Sequence, residues 1–255
     1  MFKEEYNSIS NAAASKVALL KNNPLGYFVL AALAGMYVGF GVLLIYTIGG
    51  MMAGNPYAKI VMGLAFGIAL SLVVIAGAEL FTGNNLVMTA GVLKKKVTIG
   101  ATLKLWLVCY LGNLAGSILI AVIYHLTELG TGNVGEFMAS AAATKMSIPF
   151  VALLMRGILC NVLVCLAIWC GMKCKSESGK LIMIFWCLFA FITTGFEHSI
   201  ANMTLFTVGL LNPFGQAVSI GGYIYNLAVV TLGNMIGGIV MVAVPYFLAS
   251  REKEV

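Results

Sequence analysis

Aspartate is missing from this 255-residue chain, so all nine acidic residues are glutamates. Charged residues make up only 9% of the sequence, against about 25% in a soluble domain whose outside must be wetted. Histidine occurs twice, at His125 and His198, and there is no C-x-x-C pair and no Cys/His cluster. These shortages exclude much. With no Gly-rich nucleotide loop and no loop long enough to build a catalytic domain, an enzyme is not expected. His198 and Ser199 are adjacent, and adjacent residues on a helix face different sides, so they make a poor nucleophile pair. The six cysteines (Cys109, Cys160, Cys165, Cys170, Cys174, Cys187) lie in or beside apolar runs, where a thiol acts as a small apolar filler. No metal, disulfide or cofactor is expected from that pattern. The net charge of +6 is divided among several loops, which argues against nucleic acid.

What is present is apolar. Hydrophobic residues are 61% of the chain and mean hydropathy is +0.99. The solvent for such a surface is lipid, where only helices or a closed barrel satisfy every backbone polar group. Barrel strands would alternate apolar and polar residues. Here the apolar runs are continuous and mostly reach the ~20 residues that a spanning helix needs. Six occur, at about 25–48, 60–80, 100–124, 148–172, 181–195 and 223–248. Shorter apolar stretches at 85–93 and 199–211 follow the second and fifth. The expected fold is all-α: one transmembrane domain over 1–255, with a segment 1–20 before the spans and a tail at 249–255. Ala12-Ala13-Ala14 precedes the first run rather than following it, so no cleavable signal peptide is expected.

Lysine placement predicts the orientation. With the N-terminus in the cytoplasm and six spans, Lys3, Lys16, Lys21, Lys94, Lys95, Lys96, Lys104, Lys173, Lys175, Lys180, Arg251 and Lys253 fall on the cytoplasmic side. That is twelve of the fifteen Lys and Arg, the bias of the positive-inside rule. Lys59 falls outside, while Lys145 and Arg156 flank the start of the fourth span. Both termini are expected to be cytoplasmic. The segment before Lys21 suits an interfacial helix and could also gate a pore.

The two halves of the chain repeat each other. Leu111-Gly112-Asn113 in the third span matches Leu232-Gly233-Asn234 in the sixth, with the asparagines 121 apart. Glu79 precedes Asn84 by five residues and Glu197 precedes Asn202 by five, with the glutamates 118 apart. Lys21 with Pro24, and Lys145 with Pro149, mark the starts of the first and fourth spans. Each half, about 20–124 and 145–248, is then a three-span unit. Three is odd, so the second copy enters from the opposite side and the repeat is inverted. Inverted repeats place substrate sites near the midplane at interrupted helices.

Two interruptions are visible. Gly77-Ala78-Glu79-Leu80-Phe81-Thr82-Gly83-Asn84-Asn85 cannot face lipid, because a charge at that depth costs about 2.5–3.5 kcal/mol even on the lenient insertion scale. Gly83-Asn84 is turn chemistry, predicting a helix that ends near Glu79 and restarts at about Asn85. Gly195 to Met203 is the matching break. Glu79 and Glu197 either cap exposed amides of these turns, the favoured role, or transfer protons; Asn84 and Asn202 support the same turns.

At these residues the chain resembles the formate/nitrite transporter family of bacterial membrane channels. Gly195 to Met203 (GFEHSIANM) is highly specific to it. Glu79 to Gly83, the Arg156 to Asn161 run and both Leu-Gly-Asn motifs fit as well, and the resemblance covers about residues 10–250. It implies an aquaporin-like fold, a homopentamer with a pore in each subunit, a bacterial inner-membrane location and transport of small monovalent anions of weak acids. Carried over by motif, His198 is the pore histidine, Thr82 the hydroxyl facing it and Lys145 a buried cation in the loop before the fourth span. Asn161 and Asn234 are expected to line the pore nearby, and Phe66, Leu70, Leu80, Phe81 and Phe191 to form the apolar constrictions. The chain departs from formate members at Gly83-Asn84-Asn85, where a Thr-Ser type run is common. With the Lys/Thr/His set retained, the resemblance is closest to the hydrosulfide-channel branch.

His198 also stands out without the family. A histidine inside a span needs buried partners for its nitrogens, and its ordinary pKa of about 6.5 lets it titrate near neutrality. Lys145 is either an ordinary outer-loop charge or a cation whose stem carries it into a vestibule. An anion drawn in there would meet an apolar constriction, where protonation by His198 or hydrogen bonds from Thr82 and His198 would lower the cost of desolvation. The alternative is an aquaporin-like channel for neutral solutes. Its paired Asn-Pro-Ala motifs are missing, and Asn55-Pro56 and Asn212-Pro213 fall in outer loops.

Overall fold

The structure, a computed structural model, describes residues 2–251, so Lys253 and most of the 249–255 tail lie outside the described residues. Helices occur in the order α1 Lys3–Asn22, α2 Pro24–Met51, α3 Ala58–Gly77, α4 Phe81–Leu93, α5 Ile99–Leu126, α6 Gly132–Met146, α7 Phe150–Lys173, α8 Glu177–Thr194, α9 Ser199–Leu211 and α10 Ile220–Ser250. No strand occurs among the described residues. Six of these helices (α2, α3, α5, α7, α8 and α10) are long and apolar enough to cross a membrane, and all six expected runs match them within a few residues. Leu103, Leu107, Leu119, Ile224 and Val240 are exposed on their outer faces, as expected of side chains solvated by lipid.

The centre is occupied by the two short helices. Every residue of α4 from Phe81 to Gly91 is buried, as is nearly all of α9. Each follows a span that stops abruptly. α3 closes with a π turn over Val73–Gly77, and Gly77 takes φ +79°. α8 closes at Gly195 with φ +83°. In both places a β-carbon would be strained, so glycine sets the exit.

The first break differs from the expectation. The extended residues are Ala78 to Leu80, and α4 begins at Phe81 rather than at about Asn85. Gly83 and Asn84 are therefore helical, not a turn. The second break is at 195–198, with α9 running to Leu211 as expected. Two segments read as non-helical or merely interfacial are also built into the fold. Lys145, expected in the loop before the fourth span, lies on α6, and residues 3–20 form most of α1. α1 packs on α4, and α6 packs on α9.

Helices cross closely where glycine removes the side chain. A β-carbon on Gly116 of α5 would lie 1.8 Å from the Ala32 carbonyl oxygen of α2. One on Gly237 of α10 would lie 2.3 Å from the Ile158 carbonyl oxygen of α7. The pairs α2–α5 and α7–α10 thus meet backbone to backbone, the small-residue packing that membranes favour.

Candidate functional site

Each break leaves backbone groups without helical partners at a depth where water cannot replace them. The asparagines of the Leu-Gly-Asn motifs resolve this. Asn113 Oδ1 accepts the Phe81 N–H at 2.9 Å, and its amide donates to the carbonyls of Ala31 at 2.7 Å and Glu79 at 2.8 Å. Asn234 Oδ1 accepts the Ser199 N–H at 3.0 Å, and its amide donates to Gly157 O at 2.7 Å and Glu197 O at 3.0 Å. The Glu79 N–H donates to Leu30 O and the Glu197 N–H to Arg156 O, both at 3.2 Å. One bonding scheme is used twice.

The carboxylates are occupied by side chains and do not cap amides, contrary to the favoured expectation. Glu79 accepts from Lys16, from Tyr27 OH at 3.1 Å and from Asn84 Nδ2 at 2.9 Å. Glu197 accepts from Lys145 Nζ at 2.7 Å and from Asn202 Nδ2 at 2.8 Å. Lys16 on α1, not Lys21, is therefore the counterpart of Lys145 on α6. Asn202 also donates to Asn226 Oδ1 at 2.9 Å, and Asn226 donates to Lys145 O at 2.8 Å. Buried charges need this kind of pairing and extra bonding to persist.

Asn161 and Asn234 do not line the chambers beside His198, contrary to expectation. Both are fully buried behind the half-helices. Asn161 Nδ2 donates to Asn234 O at 2.6 Å, Asn85 Oδ1 at 3.0 Å and Thr82 O at 3.3 Å. It braces α4 against α10. Asn84 and Asn85, part of the run that suggested the hydrosulfide branch, line neither chamber: Asn85 Oδ1 accepts from Asn161, and Asn84 Nδ2 donates to Glu79.

The structure brings His198 and Thr82 together across the two halves. His198 Nε2 lies 2.9 Å from Thr82 Oγ1, and His198 Nδ1 accepts the Ala201 N–H at 3.1 Å. His198 is thus the N-cap of α9, and Thr82 sits in the first turn of α4. Because Nδ1 is an acceptor, the ring proton of the neutral imidazole resides on Nε2 and points to Thr82, whose own O–H is free to turn elsewhere. Giving up the Nε2 proton would require a new one at Nδ1, which the Ala201 N–H already occupies. The pair is built to donate hydrogen bonds.

Two narrow chambers meet at His198. One, about 10 Å³, is lined by Phe66, Leu70, Leu80, Phe191 and His198, with Val38 and Leu188 among the remaining walls. The other, about 20 Å³, has Phe66, Phe191, Phe196, His198, Asn202 and Lys145 in its wall. Either volume is close to the minimum for one water. Phe66 and Phe191 meet edge to face at 5.4 Å, and Phe191 lies nearly parallel to His198 at 6.1 Å. Phe81 sits apart from both chambers, edge-on to Tyr110 at 5.0 Å. Beyond the second chamber a vestibule of about 350 Å³ contains Lys59, Lys145, Arg156 and Glu197 in its lining.

Lys16, Asn113 and Asn226 escaped the sequence reading as site residues. Asn113 lay in a motif already singled out. Lys16 carried no local signal, because its partner is 63 residues away.

Residues 3–248 match the family model described as Formate/nitrite transporter. Nitrite transporter NirC of Escherichia coli is 41% identical over 99% of this chain and 94% of its own length. NirC of Salmonella typhimurium is 40% identical over 100% of this chain and 94% of its own. Among solved structures, an FNT family ion channel superposes with a TM-score of 0.94 at 39% identity, covering 98% of this chain and 100% of that one. A pentameric formate channel with formate bound gives 0.79 at 30% identity, covering 90% and 98%. Three of these names specify nitrite or formate and none specifies hydrosulfide, so the hydrosulfide placement draws no support from these relatives, and a neutral-solute channel is not favoured.

Proposed function

The chain belongs to the formate/nitrite transporter family, and from that premise we propose that it conducts nitrite and formate through a pore in each subunit of a homopentamer. The names of its relatives, for nitrite and for a pentameric formate channel, support this reading. The membrane is a bacterial inner membrane with both termini cytoplasmic, the orientation that the lysine bias supports.

The observation that carries the proposal is the Thr82–His198 pair at the N-termini of α4 and α9. Helix N-termini carry partial positive charge, so two of them face the point where a dehydrated anion is most costly. An anion entering the vestibule passes Lys145, one of whose three N–H donors is committed to Glu197. It then crosses Phe66 and Phe191 to reach His198. There the Thr82 O–H turns to donate to the anion, while His198 Nε2–H supports the Thr82 oxygen. On the other side Leu70 and Leu80 close the path. Hydrogen bonding spreads the charge that desolvation penalises, and the bond at Nδ1 favours this over transfer of the His198 proton.

The test is flux of nitrite, formate, hydrosulfide, chloride and glycerol into proteoliposomes, with wild type beside Thr82→Val. Wild type should pass nitrite and formate well and glycerol not at all, and Thr82→Val should slow nitrite about tenfold or more, the cost of one charge-assisted hydrogen bond. Unchanged nitrite flux in Thr82→Val would remove the hydroxyl from the mechanism.

A further inference from the structure

The cations of the vestibule are of two kinds. Lys145 is neutralised at 2.7 Å by Glu197, and the remaining Glu197 oxygen is taken by Asn202. Glu197 is the single carboxylate in the vestibule lining. Lys59 and Arg156 line the same cavity, and neither forms an ion pair among the described residues. Both are exposed in the single subunit. Both border the 195–197 break: the Lys59 ammonium lies 3.0 Å from where a Gly195 β-carbon would stand, the backbone carbonyl of Arg156 holds the Glu197 N–H, and both residues line the one vestibule with Gly195 and Glu197. The uncompensated positive charge of the vestibule therefore belongs to Lys59 and Arg156, not to Lys145.

We propose that Lys59 and Arg156 form a receiving site for a small planar oxyanion, which it occupies before passing Lys145. The assignment rests on the reading of the pore as an anion path and adds a basis for choosing among anions. A guanidinium presents its N–H donors as a rigid fork that matches two coplanar oxygens, as in nitrite or formate. Chloride and hydrosulfide offer one centre and gain only from the point charge. Lys59 supplies that charge, and Arg156 supplies the shape.

The experiment uses purified full-length protein in proteoliposomes, with wild type, Arg156→Lys and Lys59→Gln, and concentration series of nitrite and chloride. Arg156→Lys keeps the charge and removes the fork. It should raise the half-saturating nitrite concentration about tenfold, with maximal nitrite flux kept within about twofold and chloride half-saturation unchanged. Lys59→Gln should weaken both anions. Wild-type nitrite saturation in Arg156→Lys, or an equal shift for chloride, would overturn the fork; no change in Lys59→Gln would overturn the pairing. A binding arm stands apart from transport. Nitrite should raise the melting temperature of wild type in detergent above that in equimolar chloride, by mass action, and Arg156→Lys should abolish the difference. If wild type conducts neither nitrite nor formate the transport reading fails, while the melting comparison still decides the receiving site.

Discussion

At His198 the two ring nitrogens carry separate obligations. Nδ1 holds the first turn of α9 through the Ala201 N–H, and Nε2 meets Thr82 at 2.9 Å. The two are separable by substitution. Asparagine is a good N-cap, so His198→Asn should melt within a few degrees of wild type, by roughly the few tenths of a kcal/mol that separate good caps. Its nitrite flux should nevertheless fall at least about tenfold. His198→Phe loses the cap too and should cost about 0.5–2 kcal/mol in addition. Melting curves in detergent, beside flux, check both; full flux in His198→Asn would mean the histidine serves α9 alone. Polar residues forced into lipid-deep sequence mark themselves, which is why His198, Thr82, Glu79 and Glu197 were legible. Their direction was not. Asn161 and Asn234 announced a need for partners, and only the fold shows that backbone carbonyls supply them.

For the elements, apolar length sufficed to locate six spans, because lipid permits nothing but a helix of that length. The restart of α4 was misplaced by four residues for an equally physical reason. Its first N–H is satisfied by Asn113, 32 positions away, so Gly83 and Asn84 need not turn. α1 and α6 lack the continuous apolar pattern of a span and gain their places by packing on α4 and α9. Glycine at the helix crossings is the feature most open to test. Gly237→Leu would drive a side chain into the Ile158 carbonyl, whereas a β-carbon on Gly221, on the same helix, would meet only Ser219 Oγ at 4.0 Å. Gly237→Leu should lose about 3 kcal/mol or more, at the upper end for overpacked cores, and fail to elute as a single species in detergent. Gly221→Leu should elute normally; matching profiles would show that α7 and α10 can separate without penalty.

For the whole molecule, parity of the spans made the inverted repeat readable, and the duplicated Asn113 and Asn234 clamps give it a bonding basis. Six crossings also return the chain to its starting face. There the first helix leans on the last: the rings of Phe2 and Tyr246 are 5.7 Å apart, and those of Tyr6 and Phe247 are 5.8 Å apart. Such closeness makes the order of the two halves a matter of where the polypeptide is cut. A flexible Gly/Ser bridge of about eight residues reaches roughly 14–17 Å, enough to link helices that touch as α1 and α10 do, and new ends can open in the exposed 127–131 connection. The rearranged gene would translate α6 first and α5 last, with every clamp still able to form. Its product should insert and pass nitrite at a rate within about threefold of the parent, as the contact of the first and last helices allows. In proteoliposomes, a silent permutant would show that membrane insertion depends on which half emerges first.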